Sequence, residues 1–282
     1  IRALCDAYGA IFTMAEVCGM NALAEMHNFT QGEARLNSAY GFDFLYADAL
    51  TPGLVAGALA NWPDGSGMGW PSWAFENHDA PRALSRWCAA GERDAFARMK
   101  AVLLTALRGN IILYQGEELG LTQVDIPFVQ LQDPEAIANW PLTLSRDGAR
   151  TPMPWAAQDE HGGFSRAAPW LPLGEDNLAR AADRQAGDPS SLLTLTRQLL
   201  ALRQSIPALR TGSAEVIHAD AHCLVMRRRQ DGQSILCAFN LSGKTQAWPL
   251  AGPARGRTVV TVNGAEPGAL PPFAAILVEE TE

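Results

Sequence analysis

The sequence predicts an α/β protein in which a parallel sheet is followed by a small antiparallel β domain. Four short apolar segments alternate with helical patterns, and each ends in polar residues; they cover residues 10–15, 40–46, 73–75 and 110–114. Such alternation is typical of βα units that share one parallel sheet. From about residue 211, short alternating segments are separated by turn pairs such as Asp231-Gly232 and Asn263-Gly264. We therefore predict a first domain over residues 1–210 and an antiparallel β domain over residues 211–282.

The helical patterns have recognisable ends. Residues 1–8 read as the end of a helix that Gly9 closes, and residues 52–62 as a short helix with Pro52 near its start. Residues 94–107 place their apolar side chains on one face, which predicts a longer helix. Asp188-Pro189 is predicted to begin the next helix, with the aspartate as its N-cap.

Two segments lack periodicity. Residues 21–38 are polar and are predicted to be irregular, and residues 122–187 are rich in Pro, Gly, Asp and Trp. Excursions of this length after a strand are uncommon unless they bind or cover a ligand. We therefore expect both segments to contribute to a functional site.

Composition excludes several classes of partner. The 282 residues are 48% hydrophobic and 18% charged, which is ordinary for a globular protein. A formal net charge of −8 argues against nucleic acid and anionic membranes. The sequence contains no apolar run of 18 residues, so no membrane span is predicted. No cofactor or metal is expected, the run at residues 227–229 (Arg-Arg-Arg) is interpreted as a solvated strand edge, and the expected location is cytoplasmic.

The five cysteines predict neither a metal site nor a disulfide framework. Their number is odd and no Cys-x-x-Cys pair occurs, so we interpret all five as buried free thiols. If Asp231-Gly232 is a two-residue hairpin turn, the numbers of paired residues sum to 463. Cys237 would then pair with Met226 rather than with Cys223.

A polar cluster follows the third apolar segment. His78 and Asp79 stand next to each other there, and Pro81 stops the backbone from continuing as a strand. A histidine beside an ionised aspartate offers both donors and acceptors to sugar hydroxyls. Taken alone, such a pair is more often a capping or hydrogen-bonding pair in a loop.

The first apolar segment ends in Glu16. In a sheet of βα units the carboxyl ends of the strands carry the chemistry, so Glu16 and Asp79 are expected at one common rim. Taken alone, a glutamate such as Glu16 is more often a solvated or salt-bridged residue at a strand exit.

Three stretches together resemble the α-amylase superfamily of glycoside hydrolases, most closely its oligosaccharide-cleaving α-glucosidase branch. They are residues 13–17 (Thr-Met-Ala-Glu-Val), 75–79 (Phe-Glu-Asn-His-Asp) and 146–155 (Arg-Asp-Gly-Ala-Arg-Thr-Pro-Met-Pro-Trp). Residues 112–120 also resemble the eighth-strand signature of that branch. The resemblance implies the C-terminal half of a TIM (β/α)8 barrel, strands five to eight, followed by the β domain.

The resemblance also implies roles for four residues. Glu16 matches the general acid/base, and Asp79 matches the carboxylate that holds sugar hydroxyls as the ring flattens. His78 matches the partner of Asp79 in hydroxyl binding, and Arg146 the arginine that closes the glucose pocket. The implied substrate is an oligosaccharide or α-glucoside.

The nucleophile expected in this family is not found. It is an aspartate in a Gly-x-Arg-x-Asp pattern, and residues 91–94 (Gly-Glu-Arg-Asp) lack the spacer and read as a helix cap. Three hypotheses follow: a piece of a retaining α-glucosidase, a piece of an enzyme that transfers or isomerises glucosyl units, or a non-catalytic carbohydrate-binding relative. Without a nucleophile, residues 1–282 alone are expected to be inactive.

Overall fold

A four-stranded parallel sheet begins the fold. The computed structural model describes residues 1–17, 19–64 and 69–281. The strands are β1 (Met14–Ala15), β2 (Ser38–Gly41), β3 (Pro71–Trp73) and β4 (Asn110–Ile111), and they are adjacent in that order. Every neighbouring pair is parallel. The prediction of four adjacent parallel strands is therefore confirmed.

Trp73 lies at the centre of this sheet and explains two glycines. Its indole is buried and donates from Nε1 to the Arg108 carbonyl at 2.6 Å. A Cβ atom at Gly41 would come within 2.9 Å of the Trp73 ring, and one at Gly109 within 2.6 Å of its Nε1. The backbone thus approaches the indole at both positions only because neither residue has a side chain.

The second strand is shorter than predicted. We expected a strand over residues 40–46, whereas β2 ends at Gly41 and residues 43–46 form a turn. Phe44 and Leu45 are fully buried within that turn. The apolar run therefore indicated burial rather than extended backbone, and the prediction was wrong for residues 42–46. The third strand begins at Pro71, two residues before its predicted start.

Along the chain, helices precede, separate and follow these strands. They are α1 (Arg2–Ala7), α2 (Ala22–Thr30), α3 (Pro52–Ala60), α4 (Ala83–Trp87), α5 (Arg93–Ala106), α6 (Pro134–Asn139), α7 (Glu175–Leu178), α8 (Ala182–Ala186), α9 (Leu192–Ser205) and α10 (Pro207–Arg210). The helices predicted near residues 52 and 94 are confirmed. In α3 the Thr51 side chain accepts from the Leu54 amide at 3.1 Å, and Pro52 occupies the first turn.

Two helix predictions were wrong. Residues 21–38, expected to be irregular, contain α2, whose Ala, Leu, Glu and Met residues are strong helix formers. Asp188 does not cap α9, because its Oδ1 accepts from the amide and hydroxyl of Ser190 within a turn. The Ser191 hydroxyl caps the helix instead, by accepting from the Thr194 amide at 3.1 Å.

The long segment at residues 122–187 is built of short helical pieces. Besides α6, α7 and α8 it contains single turns at Phe128–Gln130, Arg146–Ala149 and Glu160–Gly163. Turns this short leave no hydrophobic period in the sequence, which explains why the segment read as a loop.

An antiparallel sheet forms the end of the chain. Its strands β5 (Ser213–Ala219), β6 (Cys223–Gln230), β7 (Gln233–Asn240), β9 (Gly256–Val262) and β11 (Ala275–Glu280) are ordered β5-β6-β7-β11-β9, while β8 (Gln246–Ala247) pairs with β10 (Ala269–Leu270). Asp231 and Gly232 both have positive φ, and Met226 pairs with Cys237. The predicted hairpin and its register are confirmed.

The thiols differ in burial. Cys223 and Cys237 are buried and free, as predicted, and burial raises the pKa of Cys237 to about 12. Cys5 and Cys88 are free but only half-buried, so the prediction was wrong for their burial. Cys18 lies outside the described residues.

The arginine run at residues 227–229 lies on an interior strand rather than a sheet edge, so its interpretation as a solvated edge was wrong. Arg228 has no exposed surface. Its guanidinium donates to the carbonyls of Ala106 at 2.6 Å, Gly212 at 2.9 Å and Ser213 at 2.9 Å. Alternation along β6 turns Arg228 inward and its neighbours outward.

A second buried arginine acts at the same helix end. Arg203 donates to the carbonyls of Thr105, Leu107 and Gly109. The last carbonyls of a helix have no partner within the helix and carry partial negative charge. Arg203 and Arg228 together therefore cap the C-terminus of α5.

The described chain divides into two compact units. Residues 1–74, 102–112 and 202–282 form the first unit, and residues 75–101 and 113–201 form the second. The proposed domain boundary near residue 211 stays a prediction. Over the described ranges no helix is long and apolar enough to cross a membrane.

Candidate active site

Glu16 lies in the first unit, directly after β1. The Asn37 side chain holds the start of this strand, because its Oδ1 accepts from the amide and the hydroxyl of Thr13 at 2.9 Å each. The Thr13 carbonyl in turn accepts from the amides of Asn37 and Ser38. Glu16 follows at the C-terminal end of the strand with an exposed carboxylate. Its side chain is therefore accessible to a ligand.

Asp79 and His78 lie in a tight turn of the second unit. The Asn77 Oδ1 atom accepts from the amides of Asp79 at 2.9 Å and Ala80 at 2.8 Å. An asparagine that bonds to amides two and three residues ahead imposes a turn on the backbone. The apolar run that precedes it thus ends in a fixed polar loop.

The Asp79 carboxylate is surrounded by three cationic or polar groups. Its Oδ1 lies 2.6 Å from Nη2 of Arg150 and 3.5 Å from Nη1 of Arg146. Its Oδ2 lies 3.3 Å from Nε2 of His78. One third of the Asp79 side chain is exposed, against 62% for His78. The structure therefore brings together Asp79, His78 and Arg146 and adds Arg150, while the roles that the resemblance implies for the first three stay predictions.

Arg146 is held mainly by Asp133. Its Nε and Nη2 donate to the two Asp133 carboxylate oxygens at 2.9 and 2.6 Å, and its amide donates to Oδ2 at 3.1 Å. These hydrogen bonds lower the pKa of Asp133 well below its usual value and raise that of Arg146. A bidentate pair of this kind fixes the guanidinium plane as well as its position. Asp133 thus holds the Arg146 guanidinium in a fixed orientation, with its Nη1 atom 3.5 Å from Asp79 Oδ1.

The other residues of the Arg146–Ala149 turn have structural tasks. The Asp147 Oδ2 atom accepts from the amides of Gln132 at 2.6 Å and Asp133 at 2.9 Å. A Cβ atom at Gly148 would come within 2.2 Å of the Val124 carbonyl oxygen, so only glycine fits there. The Gly148 carbonyl in turn accepts from the Val124 amide at 3.1 Å. The Arg146–Ala149 turn therefore packs against Val124, near the start of the long segment at residues 122–187.

A buried cluster around Arg82 holds the Arg146–Ala149 turn in place. Arg82 donates to the carbonyls of Gln115 at 2.7 Å and Ala149 at 3.1 Å, and its guanidinium lies 4.3 Å from the centre of the Tyr114 ring. The Tyr114 hydroxyl also donates to the Ala149 carbonyl, at 3.0 Å. Glu76 accepts from the Ala83 amide at 2.5 Å and lies 3.5 Å from Arg82. The Ala149 carbonyl is thereby fixed by two donors.

Glu117 is structural rather than part of a polar rim. It is buried and pairs with the Lys100 ammonium at 2.5 Å, while its other oxygen accepts from the Tyr114 amide at 3.2 Å. Burial raises the pKa of Glu117. The polar run after β4 therefore turns one carboxylate inward, where it anchors α5.

A cavity of about 380 Å³ opens beside Arg150 within the second unit. Its walls include Arg82, Tyr114, Met153 and Trp170. The volume lies in the range of small-molecule sites, and its lining combines aromatic rings with cations. Among the described residues, no cluster of three or more His, Cys, Asp or Glu side chains is arranged to hold a metal ion.

Sequence reasoning missed two residues of this site. Arg150 stands inside the quoted motif but received no role, and Asp133 was not selected at all. Asp133 precedes Pro134 and accepts from the Glu135 amide at 3.2 Å, which is the N-cap pattern of a helix. That pattern predicts a cap, whereas nothing local indicates the pairing with Arg146.

The Gly148 contact leads to a stability prediction. Gly148→Ala is expected to destabilise the protein by about 2 kcal/mol or more, because the new Cβ overlaps backbone and must displace it. The measurement is the free energy of unfolding in urea. Gly187→Ala is the matched control, since nothing lies within 4 Å of its Cβ position and its φ is −99°. Equal losses for the two variants would contradict the steric explanation.

Comparisons with known proteins identify the family. The family described as alpha amylase, catalytic domain, matches residues 7–212. A probable alpha-glucosidase of Rhizobium meliloti is 40% identical over 243 residues, which are 86% of this chain and 44% of that protein. A probable oligo-1,6-glucosidase 2 of Bacillus subtilis is 32% identical over 206 residues, 64% of this chain and 36% of that protein. The chain belongs to the α-amylase family of glycoside hydrolases.

A solved structure agrees with this assignment. The crystal structure of an alpha-glucosyl transfer enzyme, XgtA, superimposes with a TM-score of 0.87 and 35% sequence identity. The match covers 99% of this chain and 53% of that one. The chain therefore spans about half the length of the relatives it matches.

Proposed function

We propose that this chain is the second half of a retaining α-glucosidase that hydrolyses α-glucosidic bonds of oligosaccharides. The observation that carries the proposal is the cluster of Asp79, His78 and Arg146, assembled by the motif that resembles the α-glucosidase branch. The similarity to a probable alpha-glucosidase over 86% of the chain supports it. In the full-length enzyme of this proposal, the first half of the barrel precedes these residues.

In this proposal β1 to β4 are the fifth to eighth strands of a (β/α)8 barrel. The nucleophile then belongs to the first half. Asp94, the nearest match in this chain, lies in the first turn of α5 and pairs with Arg180 at 2.7 Å. Negative charge in the first turn stabilises a helix. Asp94 therefore has a structural explanation and is not proposed as the nucleophile.

Each site residue has a distinct chemical task in this proposal. Glu16 donates a proton to the leaving oxygen and then, ionised, activates the water that releases glucose. Asp79 and His78 bind sugar hydroxyls; the atoms His78 Nε2 and Asp79 Oδ2, 3.3 Å apart, offer a donor and an acceptor to neighbouring hydroxyls. Arg146 closes the glucose pocket from its fixed position on Asp133.

Glucosyl transfer is the second candidate function. The similarity to XgtA, described as an alpha-glucosyl transfer enzyme, favours it. Hydrolysis and transfer share the same covalent intermediate and differ in whether water or another hydroxyl attacks it. The two functions separate by product analysis: a full-length hydrolase releases glucose from maltose, whereas a transferase accumulates longer or isomeric saccharides. The third hypothesis, a non-catalytic relative, predicts neither product.

The proposal predicts a stereochemical outcome. The full-length enzyme is expected to release α-glucose from an aryl α-glucoside, because two successive displacements restore the anomeric configuration. Proton NMR of the anomeric signals during the first minutes measures this. Initial release of β-glucose, or binding without turnover, would contradict a retaining glucosidase. Residues 1–282 alone are the matched control and are expected to be inactive, because they supply no nucleophile.

A further inference from the structure

We propose that Arg150 is a positioning residue that orients the Asp79 carboxylate for hydroxyl binding, an inference that rests on the proposed glucosidase function. Arg150 received no role from the sequence. Its Nη2 nevertheless makes the shortest ion pair of Asp79, at 2.6 Å from Oδ1. This contact leaves Oδ2 on the side of His78, where a sugar hydroxyl would be recognised.

One guanidinium fixes both the side chain and its loop. While Nη2 donates to Asp79, the Arg150 Nε donates to the His78 carbonyl at 2.8 Å. The two acceptors belong to consecutive residues, so the arginine bridges the backbone before Asp79 and the carboxylate itself. A lysine ammonium is a point charge without this planar fork and does not reproduce the double contact.

Arg150 is itself rigidly placed. Its amide donates to the Asp147 carbonyl at 2.9 Å, which closes the turn in front of it. The carbonyl of the preceding residue, Ala149, accepts from both Arg82 and Tyr114. Pro152 restricts the backbone on the other side. The guanidinium therefore extends from a backbone that hydrogen bonds hold in place. Its own hydrogen bond then fixes the orientation of the Asp79 carboxylate.

Arg146 does not substitute for Arg150. Its Nε and Nη2 are committed to Asp133, and its remaining Nη1 lies 3.5 Å from Asp79 Oδ1. That separation is longer than an ordinary N–H···O hydrogen bond. Arg146 thus contributes charge near Asp79, whereas Arg150 makes the directional bond that sets the carboxylate plane.

The test is a double-mutant cycle in the full-length enzyme. Arg150→Met is expected to lower kcat/KM by about 10²-fold, because misplacing a catalytic group by about 1 Å costs this much. The loss should be the same on maltose and on α-glucosyl fluoride, since Asp79 does not interact with the leaving group. In an Asp79→Asn background, Arg150→Met should cause no further loss, because the carboxylate it orients is gone.

Two further variants separate positioning from general stability. Arg150→Lys keeps the charge but not the fork and is expected to lose about 10-fold. Arg180→Met is the control: Arg180 makes an ion pair of similar length, 2.7 Å to Asp94, and its removal should leave kcat/KM unchanged. Melting curves accompany every variant. If Arg150→Met does not fold, the cycle is run with Arg150→Lys.

The outcomes are distinguishable. Additive losses for Arg150→Met and Asp79→Asn, or full activity of Arg150→Met, would overturn the positioning role while leaving the glucosidase proposal intact. An inactive wild type, or an Asp79→Asn variant with unchanged kcat/KM, would overturn the glucosidase proposal and this inference with it. A complete non-additive cycle with unchanged melting temperatures is the expected result.

Discussion

In the full-length enzyme, Asp79→Asn is expected to lower kcat/KM by about 10²- to 10³-fold on maltose and on α-glucosyl fluoride alike. A carboxylate that grips hydroxyls more tightly as positive charge develops at the anomeric carbon acts mainly in the transition state. Asparagine keeps the shape but not the charge that pairs with Arg150. The leaving group takes no part in this interaction, so both substrates should suffer equally.

Glu16→Gln is the matched comparison and should respond to the leaving group. On maltose, loss of the general acid is expected to cost about 10²- to 10⁴-fold in kcat/KM. Fluoride leaves as a weak base and needs little protonation, so the loss on the fluoride should be far smaller. Equal deficits on both substrates, accompanied by lowered melting temperatures, would indicate that Glu16 only stabilises the end of β1.

The second large effect is expected in stability rather than catalysis. Arg228→Met should lower the free energy of unfolding by about 3 kcal/mol, because three carbonyls lose their donor and each buried orphan acceptor costs about 1–3 kcal/mol. Urea unfolding measures the change. Arg229→Met, one residue further along β6 and exposed, is the control and should change it by less than about 0.5 kcal/mol. A neutral Arg228→Met would show that methionine packing compensates for the lost hydrogen bonds.

Local patterns were sufficient for much of the fold. The Asp231-Gly232 pair predicted a turn and, through it, the register that places Met226 opposite Cys237. Alternating apolar and helical segments predicted four parallel strands. Both inferences succeed because turn geometry and hydrophobic period depend on neighbouring residues alone.

Predictions failed where distant residues decide the outcome. The buried turn containing Phe44 reads as a strand, since burial and extension leave the same apolar signal over a few residues. Arg228 reads as a solvated residue, because its partner Ala106 lies 122 positions away. The pairing of Arg146 with Asp133 likewise depends on where α6 lies in the folded protein. No local sequence pattern determines that position.

The resemblance selected part of the candidate site and missed its supports. His78, Asp79 and Arg146 belong to quoted motifs and do lie together. The residues that hold them, Arg150 and Asp133, have no pattern in the sequence that predicts this role. Only the structure shows that Arg150 pairs with Asp79 and Asp133 with Arg146. The common placement of Glu16 with Asp79 stays a prediction.

The two arginines at the end of α5 have a consequence for cooperativity. The carbonyls of Ala106 and Thr105 receive donors from Arg228 and Arg203, which follow them by about a hundred residues. Opening β6 therefore removes a cap from the helix, so the last turn of α5 and the interior of the antiparallel sheet should exchange their amide protons as one unit. The antiparallel sheet then does not unfold independently of α5. The amides in the last turn of α5 reach their full protection from hydrogen exchange only after the C-terminal strands have formed.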